Sequence, residues 1–192
     1  MRIIAGSKRG MKLLGPQSQV SRPITDRVKE SLFSVLYKYD LPNGAIVADL
    51  FSGVGSLGLE AISRKARFVT FVEQDPKIIS VLKRNIEKAD FVNESEIIRA
   101  NAFKFSVSLN PDRQMYDLVF VDPPYAASMD VQAGSPLSGL LDSLGPRAAA
   151  DAVIIVRTDR KVFLLEQYGE FRIIDRRRWG TMAVAILQKT NE

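Results

Sequence analysis

Short apolar runs alternate with amphipathic stretches along most of this chain. Residues 45–50, 68–73, 96–99, 118–121 and 152–156 are brief and largely apolar, which predicts five strands. The stretches between them carry helical spacing. Thr25 is placed to cap a helix whose apolar face is Val28, Leu32, Val35, Leu36 and Tyr39, with Asp26 at its positive end. Pro42-Asn43-Gly44 ends that segment. A second helix is expected to begin near Leu57. A third opens at Asp75-Pro76, as cap and first-turn proline, with Ile78, Leu82 and Ile86 on one face. Near-continuous apolar strands separated by helices predict a parallel sheet covered on both faces. The two ends depart from this rhythm. Phe171–Asp175 and Met182–Gln188 read as strands separated by Arg176-Arg177-Arg178-Trp179-Gly180, too short a link for a crossover helix, so they should pair antiparallel. At the start, Arg2–Ala5 and Met11–Leu14 flank Gly6-Ser7-Lys8-Arg9-Gly10, which predicts a hairpin, and residues 15–23 predict a loop. The expected fold is a doubly wound, mostly parallel α/β sheet ending in an antiparallel hairpin. An N-terminal hairpin arm over 1–24 precedes a body over 25–192.

Composition narrows the chemistry. The 192 residues, 46% apolar and 26% charged, suit one domain with a true core. Cysteine and histidine are both absent. That excludes thiolate zinc sites, iron–sulfur clusters, cysteine nucleophiles, histidine bases and imidazole metal ligands. No metal site is expected. The net charge of +5 resides in residues 1–25, which hold Arg2, Lys8, Arg9, Lys12 and Arg22 and no acid; the rest of the chain balances. A clustered basic arm suits a polyanion, nucleic acid first. The start lacks a long apolar segment and no run approaches the ~20 residues that cross a bilayer, so a cytoplasmic protein without a membrane partner is expected.

Two motifs carry candidate chemistry. Asp49-Leu50-Phe51-Ser52-Gly53-Val54-Gly55-Ser56-Leu57-Gly58 joins a strand to a helix, and its glycines fit GxGxxG. Such a turn lets backbone approach a ligand at a helix N-terminus. Glu73, at the end of the second strand, suits the two hydroxyls of a ribose. Asp49 would repel a pyrophosphate and welcome an amino group. The second motif, Asp122-Pro123-Pro124-Tyr125, ends the fourth strand. Its prolines remove two N–H donors, leaving the Asp122 carboxylate and the Pro123 carbonyl as paired acceptors with no donor nearby. That pair suits a planar amino group, and Tyr125 suits stacking on a base.

DLFSGVGSLGLE, FVEQD and DPPY together resemble the class I S-adenosylmethionine-dependent amino-methyltransferases. RIIAGSKRG, RPITDRVKESLF and the tail RWGTMA extend the resemblance over nearly the whole chain, to the bacterial 16S ribosomal RNA guanine-N2 methyltransferases of the RsmD type. The resemblance implies a Rossmann-like class I methyltransferase fold and a cytoplasmic monomer. It implies S-adenosyl-L-methionine as cofactor and 16S ribosomal RNA as partner, free or in an assembling small subunit. The cofactor would be held by Asp49, Phe51, Ser52, Gly53, Gly55, Glu73, Gln74, Asn101 and Ala102, with Asn101-Ala102 facing the adenine. Asp122, Pro123 and Tyr125 would be catalytic. Lys8, Arg9, Lys12, Arg22, Pro124 and Tyr125 would bind substrate. An adenine-N6 methyltransferase is the alternative, since DPPY serves that amine equally well. A nicotinamide-dependent dehydrogenase is disfavoured by Asp49 and DPPY, and a non-catalytic RNA-binding factor requires that no methyl be transferred. Absence of cysteine excludes cytosine-C5 methylation, which needs a thiolate.

Overall fold

Local signals fix the helix starts. In α1 (Asp26–Leu36) the Thr25 side chain accepts from the Val28 N–H, and in α3 (Pro76–Ala89) the Asp75 side chain accepts from the Lys77 N–H. The inner face of α3 is Ile79, Leu82, Asn85, Ile86 and Ala89. Ile79 leads it, not the expected Ile78, because positions 79, 82, 86 and 89 form the stripe that meets the sheet; Ile78 is only half-buried. The glycine turn feeds α2 (Ser56–Ser63). A further helix, α4 (Pro136–Ser143), was not expected; Ser135 caps it by accepting from the Ser138 N–H.

The computed structural model describes residues 1–15, 24–104 and 115–190, the Tyr125 side chain excepted. The strands are β1 (Ile46–Leu50), β2 (Phe68–Glu73), β3 (Ser95–Arg99), β4 (Tyr116–Val121), β5 (Ala148–Asp159), β6 (Gln167–Tyr168), β7 (Phe171–Trp179) and β8 (Met182–Lys189). Among the described residues they form one sheet in the order β3-β2-β1-β4-β5-β8-β7-β6. The first five are parallel, and β8 then runs antiparallel to both β5 and β7. This is the expected doubly wound sheet with an antiparallel close. From β1 the chain winds outward to β3, then returns to place β4 on the other side of β1. That reversal opens a crevice at the carboxyl ends of β1 and β4, where doubly wound sheets bind ligands.

Both faces of the sheet are buried. Leu32, Phe33 and Leu36 of α1, Leu59 of α2 and Leu82 and Ile86 of α3 pack on Val47, Val69, Phe71 and Phe120. On the opposite face Leu137, Leu140 and Leu141 of α4 pack on Ala48, Leu50, Val119, Val121 and Ile154. Several strands exceed their expected bounds. Asp117 lies inside β4, its carboxylate accepting from the Ile46 N–H at 2.8 Å. The arginines 176–178 extend β7, leaving Gly180-Thr181 as a two-residue turn with φ 59° at Gly180.

The N-terminal hairpin forms as expected: Arg2 bridges Lys12 antiparallel, Ile3 N–H donates to the Met11 carbonyl at 3.0 Å, Gly10 N–H to the Ile3 carbonyl at 2.9 Å, and Leu13 N–H to the Met1 carbonyl at 3.1 Å. Ile4 and Ala5 direct their N–H groups to the Glu60 carboxylate, at 2.7 and 3.0 Å, not to a partner strand. Ile3 and Leu13 are buried in the main core, so residues 1–15 are packed onto the body. Among the described residues, no helix is long and apolar enough to cross a membrane.

Candidate active site

The glycine turn is built around two carboxylates. Asp49, next to last in β1, is 2% exposed, and its Oδ2 accepts from the Gly58 N–H at 2.8 Å in the first turn of α2. Burial pushes its pKa well above the usual carboxylate range. The Gly58 hydrogen bond opposes that rise, nearby Asp122 and Glu73 add to it, and Arg157 opposes it. A buried carboxylate among other carboxylates favours a cationic partner. Glu73, at the end of β2, accepts from the Gly53 N–H at 3.0 Å through one oxygen and from the Gln74 and Asp75 N–H groups through the other. Glu73 therefore ties the turn to the neighbouring strand and holds it open.

The turn has the features of a ligand cradle. Phe51 adopts a left-handed φ of 60°, a strained conformation for a phenylalanine, and its ring meets Phe103 edge-on at 4.7 Å. A Cβ at Gly53 would enter open space, whereas one at Gly58 would strike Phe71 at 2.3 Å. The first glycine thus faces a possible ligand and the last permits close helix–strand packing. The Ser52 hydroxyl is buried without a hydrogen-bond partner among the described residues, and a bound polar ligand would satisfy it.

The DPP segment stands beside this turn. β4 pairs with β1 so that Leu50 is level with Val121, and Asp122 follows directly. The expectation that no donor lies near Asp122 is overturned: Arg157 Nε of β5 donates to Asp122 Oδ1 at 2.5 Å. The Arg157 and Asp122 side chains are 11% and 19% exposed, and Arg157 Nη1 is buried with no partner among the described residues. Burial raises the Asp122 pKa while the Arg157 guanidinium holds it down. Arg157 was missed from sequence. Its signal is a cation ending the apolar run Ala152–Val156 in a strand parallel to β4.

The remaining expected residues divide. Ala102 is buried beyond the end of β3, and Phe103 beside it touches Phe51. Asn101 is exposed, and its carbonyl already accepts from the Phe103 N–H at 3.0 Å, so its acceptor capacity toward an adenine amine is partly used. Gln74 and Pro124 are exposed, and Pro123 is buried. Arg22 and the Tyr125 side chain lie outside the described residues. The arm runs along α2. Leu14 bonds to Asn85, which also donates to the Val54 carbonyl of the glycine turn at 3.0 Å. Arg2 and Lys12 lie near the start of α2, where Lys29 bridges the Arg2 and Ser56 carbonyls. Lys8 instead meets Ser63 at the far end of α2, roughly 10–12 Å away along an eight-residue helix. Lys8 and Arg9 are therefore not gathered at the crevice.

A family model described as "Conserved hypothetical protein 95" matches residues 1–188. The Bacillus subtilis (strain 168) protein YlbH is 32% identical over 189 residues, 98% of this chain and 99% of its own. A Haemophilus influenzae protein named "Ribosomal RNA small subunit methyltransferase D" is 40% identical over 138 residues, 71% of this chain and 70% of its own. The solved structure of Escherichia coli yhhF superposes with a TM-score of 0.80 at 30% identity, covering 98% of this chain and 97% of that one. The glycine turn, the strand-end carboxylates and the DPPY segment thus stand on the frame that these relatives share: the chain belongs to the family of that model, the RsmD-type methyltransferases.

Proposed function

We propose that this enzyme transfers a methyl group from S-adenosylmethionine to the exocyclic N2 of a guanine in 16S ribosomal RNA. The observation that carries the reading is the convergence of Asp49, Glu73 and the Asp122–Arg157 pair at the carboxyl ends of β1, β2, β4 and β5. The residues fit the cofactor. Asp49 suits its cationic amino acid end, the Ser52 hydroxyl has no partner among the described residues, Gly53 leaves open space, and Glu73, which already accepts from three N–H groups, keeps an acceptor position on Oε2 for a ribose hydroxyl. Phe51 and Phe103 would wall the adenine. When bound, S-adenosylmethionine supplies a methyl carbon on positively charged sulfur.

The chain's own residues do the rest. A base amine is a poor nucleophile because its lone pair is delocalised. Asp122 and the Pro123 carbonyl accept its two hydrogens, which localises that lone pair and aims it at the methyl carbon. Asp122 would take the surplus proton of the methylated amine and pass it to water. Arg157 holds the Asp122 carboxylate in place and favours its ionised form. The target base must leave its stack to enter the crevice. Tyr125 stacks on it, so Tyr125→Phe should retain turnover and Tyr125→Ala should lose most of it, read as single-turnover rates at saturating cofactor. Equal loss in both variants would reject stacking.

The direct test incubates the protein with labelled S-adenosylmethionine and either protein-free 16S RNA or small-subunit particles, then maps the methyl by mass spectrometry. Label on one guanine N2 is the expected result. Label on adenine N6 would move the reading to the other amine, and no transfer to either substrate would reject it.

A further inference from the structure

We propose that Phe163 and Arg178 form a stacking platform for an unpaired nucleotide that flanks the methylated base. This rests on the RNA-methyltransferase reading above and adds a second contact surface to it.

Phe163 is 67% exposed, yet its neighbours Val162 and Leu164 are 9% and 6% exposed. The ring is therefore held outward between two buried anchors. The segment around it is well tied. Arg160 N–H donates to the Thr181 carbonyl at 2.9 Å, and Val162 N–H to the Asp159 carbonyl at 3.0 Å. Lys161 N–H reaches the Asp159 carboxylate at 2.9 Å. Arg176 donates to the Leu164 carbonyl at 3.1 Å and to Glu166 at 2.7 Å. Leu165 N–H donates to the Tyr168 hydroxyl, which itself donates to the Val131 carbonyl. The segment that carries the ring is thus held at several points, and it presents an apolar face to water.

Arg178 lies over one face of the ring, its guanidinium carbon 5.5 Å from the centroid, and the ring's exposure leaves the other face to solvent. Among the described residues Arg178 has no carboxylate partner, in contrast to Arg176 on Glu166 and Arg177 on Asp175. A guanidinium plane beside a solvent-facing phenyl ring matches what unstacked bases and their phosphates bind.

Strand register puts the platform at the catalytic end of the sheet. Arg178 pairs with Ala183 of β8, Ala183 with Thr158 of β5, and Val156 of β5 with Val121 of β4, one residue before Asp122. Three strand spacings of about 4.8 Å place Arg178 roughly 14 Å to the side of the Asp122 strand. Exposed Arg160 and Lys161 lie at the same end, and Arg157 lies inside it. Cations thus extend outward from the transfer site toward Phe163, while Lys8 and Arg9 sit at the far end of α2. Basic groups interleaved with an exposed aromatic select single-stranded nucleic acid over an acidic protein, for which the ring would have no counterpart.

The test measures binding of a protein-free 16S RNA transcript by filter retention, alongside S-adenosylmethionine binding by calorimetry. Phe163→Ala and Phe163→Leu should each weaken RNA binding about tenfold, while Phe163→Tyr binds as the parent does. Arg178→Gln should weaken binding and lower the salt slope by about one. Cofactor affinity should hold in all four. Because Phe163 is exposed, unchanged melting temperatures will confirm intact folds. The proposal is overturned if Phe163→Ala binds the transcript as the parent does, or if Tyr and Ala are equally weak. It is also overturned if losses appear only on protein-bound particles, which would make the ring a protein contact. Methyl transfer by the parent enzyme is measured separately. Failure there rejects the functional reading even if Phe163-dependent binding stands.

Discussion

Replacing Glu60 with Gln removes one charge from the buried contact that joins the N-terminal arm to the body. Glu60 and Lys29 are both fully buried, 3.2 Å apart. Glu60 also accepts from the Ile4 and Ala5 N–H groups and from Arg64 Nε at 2.7 Å. A glutamine keeps the volume and one oxygen but turns an NH2 group toward donors and leaves Lys29 without its counter-ion. Removing one partner of a buried pair costs about 3–5 kcal/mol, most of it from the charge left behind. The pH dependence separates this cause from lost packing. Burial lowers the Lys29 pKa and Glu60 raises it, so the variant's Lys29 pKa falls further below 10.5. Between that lowered value and 10.5 the unfolded chain binds more protons than the folded one, so stability climbs with pH. The window is wider in the variant, and its deficit should therefore shrink from about pH 7 toward pH 10. Urea denaturation of both proteins across that range measures it. A deficit below about 1 kcal/mol at pH 7, or one that stays constant with pH, would refute the argument.

The other expectations concern the crevice and the arm. Glu73→Ala should weaken S-adenosylmethionine binding by roughly 2–4 kcal/mol in calorimetry, since ribose acceptors and the tie to Gly53 are lost together; unchanged affinity would remove Glu73 from the cofactor site. Asp122→Ala should lower single-turnover methyl transfer about 100-fold. Arg157→Met should move the acid limb of the pH–rate profile upward, because the guanidinium holds the Asp122 pKa down; an unmoved limb would show that Arg157 does not act through Asp122. Changing Lys8, Arg9 and Lys12 to Gln should reduce the salt dependence of RNA binding without altering cofactor affinity. An unchanged slope would leave these as solvated charges. Substitution is the proper probe here, because deleting residues 1–14 would also remove Ile3 and Leu13 from the core.

The parallel sheet was legible because its strands are apolar on both faces and its helices carry capping signals. Thr25 and Asp75 mark helix starts, and each cap is made as expected. What stayed hidden was decided by contacts between distant positions. The arm reads as a hairpin because its residues alternate suitably. It pairs as one, but its docking was not legible: Glu60, 55 residues or more away, accepts from two of its N–H groups and ties it to the body. The helix over residues 136–143 is a different case, since its signals are local: Ser135 caps it, Pro136 stands in its first turn, and Leu137, Leu140 and Leu141 fall at i, i+3 and i+4 on the face that meets the sheet.

The site divides in the same way. Asp49, Glu73 and Asp122 were legible because each ends a strand, and strand ends in a doubly wound sheet converge by topology alone. Arg157 required register. It reaches Asp122 across 35 positions, and nothing local distinguishes it from any cation after an apolar run. Charge counting along the chain is incomplete for a related reason. Residues 26–192 are neutral in sum, so the arm looked like the sole basic surface. In space the acids of the last third are largely committed: Asp175 to Arg177, Glu166 to Arg176, Glu170 to Lys189, and Asp159 to the Lys161 N–H. Among the described residues, Arg160, Lys161 and Arg178 make no ion pair at the catalytic end. A neutral sum along the chain is thus compatible with a basic rim, and the rim, unlike Lys8 and Arg9, adjoins the carboxylates that would act on the base.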